Sequence, residues 1–323
     1  MDATDSPIDV SVIVPAWKAA DFIGAAVASA LSSSGVTVEV IAVDDASPDD
    51  TFATLQTLAA TDPRLRIDRL AVNAGPSAAR NRAIELAAGR YIAVLDADDT
   101  MAPDRLQRLV NLADAVHADI VVDDMLDVDA QGQRIGAGTF LKANVFRQAM
   151  AVDLALWVHF NQPLKPIDCI GYLKPLFRRA ALDRLNQRYD PALRNSEDYY
   201  IVADLLAKGA VMRYTPEPGY NYRRAATSIS HRLKPAETHA WIAAEAAFRA
   251  RHPQLGASQL AALDARSRLL REIDHFVSAV DLAKGKRIPQ FLRHLAGDPH
   301  SSLFTLGAFA RIAGAKVTGG SAF

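Results

Sequence analysis

Tyr91-Ile92-Ala93-Val94-Leu95-Asp96-Ala97-Asp98-Asp99 joins an apolar run to a cluster of three carboxylates. A run this short and this apolar reads as a strand buried on both faces. The same character recurs upstream. Val38-Glu39-Val40-Ile41-Ala42-Val43 ends in Asp44-Asp45, and Val10-Ser11-Val12-Ile13-Val14 ends in Pro15. A weaker strand is expected near 65–70 and another at Asp119-Ile120-Val121-Val122. Helical spacing fills the gaps: Phe22, Ile23, Ala26, Val27, Ala30 and Leu31, then 51–60, then 76–88, then a helix opened by Pro103 with Leu106, Leu109, Val110 and Ala113 on one face. Buried strands alternating with helices predict an α/β fold, a mostly parallel Rossmann-like sheet flanked by helices. Such sheets bind ligands beyond the carboxyl ends of their strands. That rule selects Pro15-Ala16-Trp17, Asp44-Asp45, Asn73-Ala74-Gly75 and Asp96-Ala97-Asp98-Asp99.

The chain has 323 residues, more than one ordinary domain needs. The patterning divides it into a domain over 1–234, with halves of about 8–125 and 126–234, and a helical extension over 235–323. The middle is expected to hold a Gln131-Gly132 turn, a helix near 144–157, a stretch interrupted by Pro163, Pro166 and Pro175, a helix from Ser196, and strands near 210–214 and 220–223. A net charge of −1 argues against a nucleic-acid partner. The single cysteine, Cys169, excludes an internal disulfide and a Cys-based metal site, and is expected in the core. Residues 1–9 lack the basic and apolar regions of a signal peptide, and no run of 18 apolar residues occurs, so a cytoplasmic location is expected. Between Lys284 and Lys316 six Lys/Arg stand against one acid, Asp298, a local charge of +5. Apolar residues accompany them (Phe291, Leu292, Leu295, Leu303, Leu306, Phe309), which suggests a peripheral contact with the inner face of the plasma membrane. Packed helices with a solvated basic face are the alternative.

Crowded carboxylates repel unless a cation lies between them. Asp96 and Asp98 alternate, so in extended backbone they share a face. Oxygen ligands suit Mg²⁺ or Mn²⁺, held by one or two carboxylates plus substrate phosphates. A solvated loop with Asp99 or Thr100 capping the next helix would account for the same residues. Asn73-Ala74-Gly75-Pro76-Ser77-Ala78-Ala79-Arg80 ends a turn and opens a helix, a plausible seat for an anion. In Ser196-Glu197-Asp198 the serine is placed to cap a helix whose first turn carries two acids.

Taken in order, Val10 to Pro15, Val43-Asp44-Asp45-Ala46-Ser47, Asn73 to Asn81, Asp96-Ala97-Asp98-Asp99 with Pro103 and Leu106, and Glu197-Asp198 resemble the family 2 inverting glycosyltransferases of the GT-A fold. Gly171-Tyr172-Leu173-Lys174-Pro175 and Gly219-Tyr220-Asn221-Tyr222 look most like the succinoglycan-type exopolysaccharide glucosyltransferases of bacteria. The resemblance implies transfer of a hexose, glucose by this likeness, from a UDP-sugar to a lipid-linked oligosaccharide. It places Pro15, Ala16, Trp17, Asn73, Gly75 and Ala97 beside the nucleotide-sugar, Asp45 on the uracil edge, and Arg80 near the base or diphosphate. Asp96 would contact the ribose or the metal-bound diphosphate, Asp98 would hold Mn²⁺ or Mg²⁺, and Asp198 would be the base with Glu197 beside it. Two departures stand out. Trp17-Lys18 replaces a common Tyr-Asn, and Ala225 stands where the family often has a histidine, a role that His231 would fill. Arg223 or Arg224 is a candidate contact for the diphosphate. Trp157, His159 and Asn161 precede the Pro-rich stretch in the acceptor half, with Trp157 either stacking on sugar or buried in the core. Alternatives are a receiver-like signalling domain and a non-catalytic sugar-nucleotide binder. A nucleotidyltransferase lacks its Gly-rich loop here, and a dinucleotide-linked oxidoreductase lacks any G-x-G-x-x-G.

Overall fold

The computed structural model describes residues 8–163, 168–193, 196–224 and 233–318, with side chains described as far as 309. Its strands are β1 (Val10–Ala16), β2 (Val38–Asp44), β3 (Leu65–Arg69), β4 (Tyr91–Val94), β5 (Thr100–Met101), β6 (Ile120–Val128), β7 (Met150–Val152), β8 (Leu176–Arg178) and β9 (Met212–Arg223). Its α-helices are α1 (Ile23–Leu31), α2 (Thr51–Ala59), α3 (Pro76–Leu86), α4 (Arg105–Ala115), α5 (Leu154–His159), α6 (Arg179–Arg184), α7 (Glu197–Ala207), α8 (Pro235–Arg251), α9 (Ala257–Lys284), α10 (Ile288–Gly297) and α11 (Pro299–Thr318). Two compact units result: Met1–Trp157 with Asp168–Ala226, and Val158–Ile167 with Thr227–Phe323.

In the first unit the strands form one mixed sheet in the order β3-β2-β1-β4-β8-β6-β9-β5, with β7 on β9. β1 lies parallel to both β2 and β4, and β3 continues parallel to β2. Val12, Ile13, Val40, Ile41, Ile92 and Val94 are fully buried, as expected for strands covered on both faces. The chain order reverses on either side of β1, so the carboxyl ends of β1, β2 and β4 open a crevice. β8 runs antiparallel to β4, pairing Ala93 with Leu176. Its first residues therefore lie at the carboxyl end of β4.

The structure departs from expectation where pairing overrides local pattern. The helix expected near 144–157 is a 3-10 turn (Asn144–Arg147), then β7, then α5. Met150 to Val152 are drawn onto the edge of β9, and Asp153 accepts the Leu156 N–H at 2.8 Å to start α5. The two strands expected near 210–214 and 220–223 are one strand, β9, with a register shift against β6 between Asp123 and Met125. Pro216 and Pro218 sit at that irregularity, where a missing N–H breaks no ladder bond. β5 and β8 are too short to show a period. Cys169 is only partly buried.

Between α4 and β6, Arg105 and Asp123 form a fully buried ion pair at 2.8 Å. Arg105 also donates to the Lys174 carbonyl at 2.6 Å, and its guanidinium lies 5.1 Å from the Tyr220 ring centre. Gly219 packs against this pair so closely that a Cβ there would meet Arg105 Cγ at 2.7 Å and Asp123 Oδ2 at 2.8 Å.

The second unit is helical where described. Leu269, Ile273 and Val277 of α9 form its core with Leu233, Phe276 and Phe304. Glu245 and Arg266 face each other at 3.4 Å, and His275 meets Thr305 at 2.9 Å. Phe309 packs on Phe276, whereas Ile288, Leu292, Leu303 and Leu306 are exposed. No helix among the described residues is long and apolar enough to cross a membrane.

Breaking one partner of a buried pair strands the other's charge. Arg105→Met is expected to cost about 3–5 kcal/mol, and the Arg105→Met/Asp123→Leu double replacement to recover most of that. Urea unfolding of the wild type and both variants checks this, and equal losses in the two variants would refute it.

Candidate active site

The β1–β2 end of the crevice is built from three stitched segments. Asp44, at the end of β2, accepts the Ser47 N–H at 3.2 Å and pairs with Arg69 Nε at 3.0 Å. Beside it, buried Asp45 accepts the N–H groups of Ala74 at 2.7 Å and Gly75 at 2.8 Å. Gly75 adopts φ 92°, open to glycine without a Cβ penalty, and hands directly to Pro76 at the start of α3. The turn that sequence marks as an anion seat thus holds the protein's own carboxylate. Asn73 Nδ2 closes the corner on the Asp45 carbonyl at 3.2 Å. The segment after β1 is tied to the segment after β2 by Lys18 N–H to Ser47 Oγ (3.0 Å) and Ala19 N–H to Thr51 Oγ1 (2.8 Å). Pro15 is half-buried, Ala16 buried and Trp17 exposed, with the Lys18 ammonium 4.6 Å from the Trp17 ring centre.

Beyond β4 the chain turns at once, with the Asp99 N–H donating to the Asp96 carbonyl at 3.1 Å. Asp96 and Asp98 therefore do not share an extended face, and the turn gives each acid its own task. Asp96 accepts Arg80 Nη2 at 3.0 Å and Lys174 Nζ at 2.7 Å. Burial alone would raise its pKa, but the Lys174 and Arg80 charges outweigh burial and hold the carboxyl well below the usual range. Asp99 is no helix cap. It is buried, accepting Tyr220 OH at 2.8 Å and the Arg223 N–H at 2.7 Å. Burial, then the charges of Asp96 and Asp98, push it up to about 7. Ala97 is buried between them. Asp98 is the exposed member, with no hydrogen bond or ion pair to another side chain among the described residues. Its pKa is raised by desolvation and by Asp96. Arg223 fixes its backbone by donating Nε to the Asp98 carbonyl at 2.7 Å.

Arg80, nearly buried, ties this turn to α7. It reaches Glu197 Oε1 at 2.8 Å and Asp198 Oδ1 at 3.4 Å, while Lys174 Nζ lies 3.6 Å from Asp198 Oδ2. Asp198 is thus held between two cations that also hold Asp96. Its Oδ1 is buried beside Arg80 without a hydrogen-bond partner among the described residues, an unmet acceptor at the centre of the network. Glu197 is raised by burial and by the neighbouring Asp198 charge. Ser196 does not cap α7 through its side chain; it takes a left-handed φ of 67°. The described stretch ahead of α7 is hydrogen-bonded to α3. Asn81 exchanges two hydrogen bonds with the backbone of Tyr189 at 2.9 and 2.8 Å, and Ser77 Oγ donates to the Leu193 carbonyl at 3.1 Å. Trp157 is a core residue, stacked on Tyr199 at 6.1 Å with its Nε1 donating to the Tyr199 carbonyl at 3.2 Å.

The donor set fits a hard divalent cation. Three carboxylates of the network (Asp96, Glu197, Asp198) face only two cations (Arg80, Lys174), and Asp98 adds an open oxygen ligand. No group of three or more His, Cys, Asp or Glu among the described residues makes a closed protein site, so a metal there would draw ligands from a bound diphosphate. His231, as well as Ala225, lies outside the described residues. Arg224 is paired with Asp127 at 2.8 Å and Arg223 is committed to backbone carbonyls, so both guanidinium groups already have partners.

Sequence reasoning assigned no role to Lys174, Tyr189 or Tyr220. Lys174 carries a faint signal, a lone cation beside Pro175 in an apolar stretch, but its partners lie on β4 and α7. Tyr220 is legible only once β9 is known to pair with β5.

The profile of "Glycosyl transferase family 2" matches residues 11–164. The succinoglycan biosynthesis protein ExoO of Rhizobium meliloti is 39% identical over 92% of this chain and 84% of its own length. The structure of S. aureus TarS 1-349 in complex with UDP-GlcNAc aligns with a TM-score of 0.60 at 18% identity, covering 88% of this chain and 89% of that one. Only 43% of the longer TarS chain is covered. Mannosyltransferase PcManGT from Pyrobaculum calidifontis, in complex with GDP-Man and Mn²⁺, aligns with a TM-score of 0.57 at 20% identity over 95% of this chain and 81% of that one. The strand order that opens at β1, the acids after β2 and β4, and these likenesses agree: the chain belongs to the family 2 glycosyltransferases, on a GT-A-like fold, with relatives in succinoglycan biosynthesis.

Proposed function

We propose that the enzyme transfers a hexose, glucose by its likeness to the succinoglycan group, from a UDP-sugar to a lipid-linked oligosaccharide of an exopolysaccharide, with inversion at the anomeric carbon. The observation that carries this reading is Asp198, a carboxylate flanked by Arg80 and Lys174 at 3.4 and 3.6 Å and joined through them to the turn that bears Asp98. The UDP-GlcNAc named with TarS and the GDP-Man and Mn²⁺ named with PcManGT support a nucleotide-sugar donor and a divalent metal.

In this mechanism Pro15, Ala16, Trp17, Asn73 and Gly75 border the nucleoside, and Asp45 both holds that border and faces the uracil. Asp198 accepts the proton of the acceptor hydroxyl as its oxygen bonds to the anomeric carbon and the bond to the diphosphate oxygen breaks. The leaving group is a stable anion, so it needs positive charge rather than a proton. Mn²⁺ or Mg²⁺ at Asp98 would supply that charge as a Lewis acid. Lys174 and Arg80 keep Asp96 and Asp198 in place, so the hydroxyl meets a base already oriented. Glu197 anchors Arg80. The exposed Ile288 and Leu292 on α10, with Lys284, Lys286, Arg287 and Arg293 nearby in sequence, support a peripheral contact with an anionic membrane at the inner face, where a lipid-linked acceptor would lie.

Four outcomes are expected. With a UDP-sugar panel and Mn²⁺, Asp98→Ala abolishes metal-dependent donor binding in calorimetry. Asp198→Asn keeps binding and lowers kcat by roughly 10²–10⁴; binding of no UDP-sugar in the presence of metal would overturn the reading. Lys174→Met is expected to lower kcat by about 10² while changing donor affinity less, because a misplaced base costs rate before binding; steady-state kinetics separates the two. Leu292→Glu is expected to reduce cosedimentation with phosphatidylserine vesicles without altering UDP binding, and unchanged cosedimentation would remove the membrane contact.

A further inference from the structure

Burial of Trp157 leaves the acceptor side without the aromatic that sequence suggested, yet three other rings gather in the same unit. Phe140 lies 5.9 Å from Tyr172 and 6.1 Å from Tyr222, and the two tyrosines lie 6.4 Å apart, centre to centre. Phe140 and Tyr222 are half-buried, and Tyr172 is 45% exposed. Large rings clustered at a surface lose hydration only if something covers them.

Their position relates them to the transfer centre. Tyr172 precedes Lys174 by two residues, and Tyr222 adjoins Arg223, which grips Asp98 and Asp99. Burial raises both phenols above the usual tyrosine range, and the Lys174 charge opposes that rise. In the strand order the Asp45 corner belongs to β2 and the turn with Asp96 and Asp98 follows β4. Tyr172 comes just before β8 and Tyr222 lies on β9, so both rings sit on the side away from the nucleotide end. Arg224 packs over Phe140 at 5.3 Å and over Tyr222 at 5.1 Å, but its charge is matched by Asp127 at 2.8 and 3.2 Å. The patch therefore combines aromatic faces, phenolic hydroxyls and a neutralised cation.

We propose that the exposed Tyr172 ring stacks on a neutral pyranose of the acceptor glycan, with Tyr222, tilted 51° to it, and Phe140, at 66° to it, walling the edge of that platform. A pyranose has one face of C–H groups and a rim of hydroxyls, which matches aromatic faces edged by polar groups. A uronate is disfavoured because Arg224 already has its counter-charge. This inference rests on the reading that Asp198 serves a sugar acceptor, and it commits that acceptor to a neutral sugar next to the bond being made.

Saturation-transfer NMR with cellobiose, in the presence of UDP and Mn²⁺, tests it. Wild type is expected to transfer saturation to the ring C–H protons of cellobiose, and cellobiuronic acid to show at least about tenfold weaker binding. Tyr172→Ala and Tyr222→Ala are each expected to weaken cellobiose binding about tenfold, the loss of roughly one stacked ring contact. Tyr222→Phe, which keeps the ring, should retain most of the affinity. UDP binding by calorimetry, unchanged in each variant, shows that the fold and the nucleotide end are intact. Cellobiose contact that survives both alanine variants, or that is absent from wild type while UDP binds, overturns the platform. Cellobiose contact that depends on the tyrosines in a protein that fails to bind UDP leaves the platform standing and removes the donor assignment instead. Equal or tighter binding of cellobiuronic acid overturns the assignment to a neutral ring.

Discussion

Arg80 buries a guanidinium among carboxylates that come from opposite ends of the fold: Asp96 beyond β4, and Glu197 and Asp198 at the start of α7. A buried cation is tolerated only when it is paired and hydrogen-bonded, and removing its partners leaves a large uncompensated cost. That constraint fixes more than one side chain. Arg80 rides on α3, whose first turn is set by Gly75, and Gly75 is held by the Asp45 carboxylate at 2.8 Å. A continuous chain of contacts thus runs from the end of β2 to Asp198. The Asp45 corner and the proposed base cannot shift independently.

Lys174 completes the arrangement from the other side. It reaches Asp96 and Asp198 because β8 runs against β4, and its backbone is held by Arg105, itself locked to Asp123. With the two cations spent on Asp96, Glu197 and Asp198, the neighbouring turn is left rich in negative charge. Asp98 and Asp99 register this as raised pKa values, chiefly through burial and then through Asp96. Crowded acids of this kind favour a divalent cation bound with a diphosphate over a closed protein metal site. The same division leaves Asp98 facing solvent while Asp96 is held by Arg80 and Lys174.

The parallel half of the sheet was legible because strands buried on both faces must be apolar throughout, and the acids that end β2 and β4 mark where the apolar run meets the crevice. The region from 144 to 157 has the periodicity of one helix but not its structure, because the edge of β9 supplies hydrogen bonds that local periodicity cannot show. Asp96 and Asp98 alternate along the chain as if on one face of extended backbone; the Asp99-to-Asp96 turn replaces that geometry, yet the Asp96 charge still raises Asp98. Trp157 could not be assigned from sequence, since a sugar-stacking indole and a core indole look alike until Tyr199 is seen beneath it.

The sequence by itself determined the α/β alternation and the acidic ends of the strands, because each is written in residues close together along the chain; Asp198 entered as candidate base only through the family resemblance. Tertiary structure alone decided which charges meet. Arg80 and Glu197 are 117 residues apart, yet they lie at 2.8 Å. Lys174 enters only because an antiparallel strand brings it to the end of β4. Pairing of buried charges depends on which segments the packed core brings within a few ångströms, and neither composition nor periodicity carries that distance.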